Sequence, residues 1–202
     1  MSLARLVRLA GPVSVVGAAL IVLTEIVAVA FVGGGGNTGP VAVTNGVVRV
    51  FAFFWLLLGL VGLYARQSEE AGRLGLVGFL LAFLGTMLIA GDLWFEAFAF
   101  PYLMEVAPKT LEGGSPGGTL IAGAGVSFLT FNTGWLLFGI ASFRARVFPR
   151  VATIVLVVGA LICYPSPLYP PKLVVLAAAV GWMGFYLSIQ RVAPAEQSPR
   201  VT

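Results

Sequence analysis

Asp92 and Glu96 lie four residues apart inside an otherwise apolar stretch, GTMLIAGDLWFEAFAFPYLME (Gly85 to Glu105). Residues at i and i+4 share one face of a helix, so both carboxyls are expected to point the same way. Two carboxyls in a medium of low dielectric resist ionising together, and one of them can then hold a proton. Such a pair can donate a proton to a lipid-like substrate, relay one, or grip a cationic ligand. Glu25 and Arg49 are the other charged residues that interrupt apolar runs near the same depth. All four are candidate site residues, because ionisable groups within a membrane segment are costly and default to a functional reading. The alternative is structural: Glu25 and Arg49 clamp two neighbouring helices, and Asp92 and Glu96 sit at headgroup level.

Trp94, Phe95 and Phe98 surround the acidic pair. An aromatic wall beside an acid can stabilise a cation through its π faces; the same residues also suit an interfacial belt. Asn132, flanked by Thr130 and Thr133, is a second polar candidate, either as a ligand contact or as a hydrogen-bonding link between helices. The single cysteine, Cys163, rules out an intramolecular disulfide and is expected to be an inert packing thiol. With no histidine in the chain, histidine-ligated haem, the common zinc and copper sites and a Ser-His-Asp triad are all excluded. No cofactor is expected. The glycine run Gly33 to Gly36 is a linker, since no strand precedes it and no Gly-Lys-Ser/Thr follows.

These residues are positioned by apolar segments. The chain has 202 residues, 59% hydrophobic and 10% charged, with a mean hydropathy of +1.00; a soluble domain carries about 25% charged residues. The expected fold is all-α: one polytopic membrane domain over residues 1–202, a bundle of six transmembrane helices joined by short loops. The spans are placed at about 10–32, 47–64, 74–100, 119–143, 148–164 and 173–189. Pro101 is expected to disfavour helix at Phe100. A short interfacial helix is possible around Leu103 to Leu111, and the fifth span has the shortest apolar run. The stretch before Glu25 is too long for a typical signal peptide and is taken as a retained first span.

Counting basic residues sets the orientation. Arg5, Arg8, Arg66, Arg73, Arg144, Arg146, Arg150, Arg191 and Arg200 fall on one side, and Arg49, Lys109 and Lys172 on the other. This asymmetry places both termini in the cytoplasm. Few lysines amid Ala, Gly, Val and Arg suggest a bacterium of high genomic G+C, hence its cytoplasmic membrane. The net charge of +4 is therefore topological, and no nucleic-acid partner is expected. WLLLGLVGLYAR (Trp55 to Arg66) is echoed by WLLFGIASFRAR (Trp135 to Arg146), a pattern open to either internal duplication or the shared needs of inward-running spans.

Two functional classes fit. One is a non-enzymatic membrane protein that binds or moves a small hydrophobic or amphiphilic ligand, or serves with a membrane-protein partner as a subunit of an assembly. The other is a membrane-embedded acid catalyst of isomerase or cyclase type, acting on an isoprenoid lipid through Asp92 and Glu96.

Overall fold

The computed structural model describes residues 3–33, 38–107, 117–164, 166 and 170–189, with the backbone alone for 3–8. The central glycines of the first loop, Lys109, Glu112, Tyr169 and the tail from Gln190 lie outside the described residues.

All regular structure among the described residues is helical. Helix α1, Leu3–Val27, runs on into a π-helical turn, Ala28–Val32. Helix α2, Pro40–Trp94, continues through a π-helical turn, Phe95–Ala99, into α3, Phe100–Val106. Then come α4, Gly118–Ala145, α5, Arg150–Ile162, and α6, Leu173–Ile189. Three helical runs are long and apolar enough to cross a membrane: Leu9–Val32, Pro40–Val106 and Gly118–Ala145. The expected second and third spans thus fall within one run of 67 residues.

That run is not straight. Gly72 has φ 56° and ψ −152°, a conformation open essentially to glycine alone. Tyr64 and Phe79 would be about 22 Å apart along an unbroken helix, yet their rings stack with centroids 4.3 Å apart. Helix α2 therefore folds back on itself at Gly72, giving arms of residues 40–71 and 73–94.

Each arm packs antiparallel to its next neighbour, through glycines that let backbones approach. Gly59 lies against Ser14 of α1, and Gly17 of α1 against Leu56 of the first arm. The second arm meets α4 where Gly78 faces the Phe138 backbone and Gly85 that of Phe131. Gly139 brings α5 in at Val157, Gly159 brings α6 in at Leu176, and Gly184 closes the ring against Ser14. Phe53, Leu56, Leu60, Ile89, Phe131 and Trp135 fill the interior with no exposure. Some polar groups inside are paired between helices: Trp135 Nε1 donates to Thr86 Oγ1 at 3.0 Å, and Gln67 Nε2 to Ser142 Oγ at 2.8 Å. Outward, the bundle presents large apolar side chains such as Phe31, Phe51, Leu129 and Phe185, the surface expected of helices solvated by lipid. The two tryptophans of the repeated motif differ, since Trp135 is fully buried and Trp55 partly exposed.

Pro101 does not end its helical run. A proline lacks the N–H donor and its ring crowds the carbonyl four residues back; the π-helical turn immediately before it inserts the extra residue that relieves this crowding. Helix α3 ends at Val106 and Ala107 is not helical, with φ −144° and ψ 52°; residues 108–111 of the expected interfacial helix lie outside the described residues.

Candidate functional site

Glu25 and Arg49 meet at the end of the bundle remote from Gly72. Arg49 Nη2 donates to Glu25 Oε1 at 2.6 Å, with Glu25 fully buried and Arg49 nearly so. Sequence spacing places them there because α1 and the first arm of α2 are antiparallel: Ser14 pairs with Gly59 low in the bundle, so Glu25 rises to the height of Arg49. Beside them Asn45 Nδ2 donates to the Thr24 carbonyl at 3.1 Å, a second tie between the same helices. Glu25 Oε2 is buried with no hydrogen-bond partner.

Glu96 extends this cluster. It lies within electrostatic reach of both Arg49 and Asp92, and it reaches the surface of the bundle. Asp92 is half-buried, with the Ser127 hydroxyl of α4 beside its carboxyl. The same hydroxyl lies 3.0 Å from the Gly123 carbonyl, to which it can also donate. Asp92 Oδ2 is buried and unpartnered. Glu25, Arg49, Glu96 and Asp92 thus form a chain of charges from the interior of the bundle to its surface.

The aromatic candidates stand apart from this chain. Trp94, Phe95 and Phe98 are exposed by 54%, 37% and 46%, and the Trp94 and Phe98 rings lie 5.6 Å apart on the outer surface. The π-helical turn rotates this face: Ala97 becomes the buried residue, 3.1 Å from where a side chain on Gly46 would begin, and the rings turn outward. Asn132 is fully buried, and neither of its amide atoms has a partner. Next to it Thr133 Oγ1 and Tyr164 Oη share a hydrogen bond of 2.9 Å. Cys163 is buried, its thiol 3.8 Å from the Lys172 carbonyl.

A sizeable open space lies elsewhere. An outward-facing apolar groove of about 600 Å³ runs between α1 and α6, with Ala18 and Gly181 in its floor and Val15, Ile26 and Trp182 among its walls. Sequence reasoning missed it because it joins the first and last helices. The available signal was the pair of adjacent alanines, Ala18 and Ala19, and Gly181 of α6, all small residues on apolar helices. No family model, curated protein or solved structure matches this chain.

Proposed function

We propose that the chain is a six-span protein of a bacterial cytoplasmic membrane that binds or moves a small amphiphile along the α1–α6 groove. In this reading each arm of α2 is one span, and α5 and α6 are two more. Both termini and the arginine-rich turns face the cytoplasm. The observation that carries the function is the groove itself. Its lining is almost wholly apolar, and Val15 to Ile26 covers about 16 Å of helix, enough to hold an alkyl or prenyl chain lying along the bundle. Small residues in the floor and Trp182 at the wall line a shallow groove open to the surroundings.

The test is binding of a fluorescent fatty-acid probe to the purified protein in detergent. Ala19 is exposed and lines the groove, so Ala19→Phe fills it without entering the core. We expect at least a tenfold loss of probe affinity, with an unchanged melting temperature; equal binding by both proteins would refute the groove.

A second reading, the acid catalyst working on an isoprenoid lipid through Asp92 and Glu96, is supported by the unpartnered Asp92 Oδ2. It requires Asp92→Asn to abolish turnover of such a lipid while the probe still binds. The aromatic residues it would enlist are turned outward, which favours the first reading.

A further inference from the structure

At the opposite end of the molecule, the turn between α4 and α5 encloses a cavity of about 430 Å³ lined by Phe143, Arg144, Arg146 and Arg150. All three guanidinium groups are exposed, and among the described residues none of them makes an ion pair. Three like charges lining one hollow repel each other, and an anion between them would relieve that repulsion. The backbone points the same way. Arg146 caps α4 with φ 58°, the one positive φ outside glycine among the described residues. Glycine or asparagine fills such a position more cheaply, so the turn carries an arginine against its steric preference. Arg150 is the first residue of α5, so the positive end of that helix lies at the same turn.

We propose that this cup binds the phosphate headgroup of an anionic phospholipid from the adjoining leaflet. Charge complementarity selects the phosphate, since arginine forks match its oxygens in pairs. The surroundings select a lipid over a free anion: Phe143 forms one wall of the cavity, and Val151 and Ile154 of α5 are exposed immediately beyond it. A headgroup seated among the arginines places its acyl chains along that apolar face. Basic hollows between membrane helices on the cytoplasmic side recognise lipids in this way.

The experiment measures melting of the full chain in mixed micelles containing phosphatidylglycerol or phosphatidylcholine. Phosphatidylglycerol is expected to raise the melting temperature further, with apparent affinity falling roughly fivefold for each arginine removed. Arg146→Gly relieves the backbone, so without lipid it should melt at or above the parent while losing part of the phosphatidylglycerol response. Arg144→Gln with Arg150→Gln removes the response without touching the turn. Arg73→Gln lies at the same end but outside the cavity, and should retain it. Equal responses to the two lipids would overturn the proposal. So would an Arg73→Gln loss matching that of Arg146→Gly, which would show diffuse surface charge, or a full response to inorganic phosphate alone, which would show a free-anion site.

Discussion

At the scale of single residues, removing the two partners of the Glu25–Arg49 pair should have unequal consequences. A buried ion pair costs the hydration of both ions, and breaking one strands the survivor at about 3–5 kcal/mol. Arg49→Met leaves Glu25 with no exposure and, among the described residues, no other ion-pair partner. Glu25→Gln leaves Arg49 within reach of the Glu96 carboxylate. The arginine variant should therefore melt well below the parent in detergent and the glutamine variant only modestly below. The reverse order would mean that Glu96 does not answer Arg49. The pair was legible in the sequence, because two charges interrupted neighbouring apolar runs at matching depth. What was not legible was the fate of Asp92 and Glu96: spacing put them on one face, but whether that face met helix or lipid depended on α4 arriving with Ser127.

At the scale of elements, glycine decides where the chain bends and where helices touch. The expected spans at about 47–64 and 74–100 leave residues 65–73 as a short loop, yet helix occupies it on both sides of Gly72. A turn read from charge alone could not reveal that one residue carries the whole reversal. Nothing lies within 4 Å of a side chain placed on Gly72, so replacement there meets only backbone strain. Gly72→Ala should cost about 1–3 kcal/mol. Gly91 is also in open space but keeps helical geometry within α2, and Gly91→Ala should gain about 0.5–1 kcal/mol. Thermal melting of the two variants checks both signs, and destabilisation by both would remove the strain argument. Pro101 shows the opposite failure of local reading. Helix was expected to be disfavoured at Phe100, yet Phe100 is helical, with φ −61° and ψ −47°, because the π-helical turn that absorbs the proline is a response of neighbouring residues packed against Gly46.

At the scale of the whole molecule, the hydropathy pattern revealed the all-helical class because lipid demands it of every exposed backbone. The groove between α1 and α6 was hidden because it exists only when the ring closes, bringing Ala18 against Gly181. The number of crossings rests on two joints, the reversal at Gly72 and the short helix α5. At 13 residues, α5 is about 20 Å long, against a hydrocarbon core of about 30 Å. To cross, it must recruit flanking residues or draw the bilayer thinner around itself, each at modest cost. Single cysteines settle both joints once the native, buried Cys163 is replaced by alanine. A membrane-impermeant maleimide applied to intact cells should label Thr38→Cys and Gly117→Cys, while Glu70→Cys and Arg144→Cys react only after permeabilisation. Labelling Glu70→Cys from outside would mean that the arms of α2 do not each span. Lys172→Cys follows α5 and precedes α6, so outside labelling requires α5 to cross. If it reacts only after permeabilisation, α5 and α6 form a hairpin dipping in from the cytoplasmic face, and α6 would reach α1 without spanning.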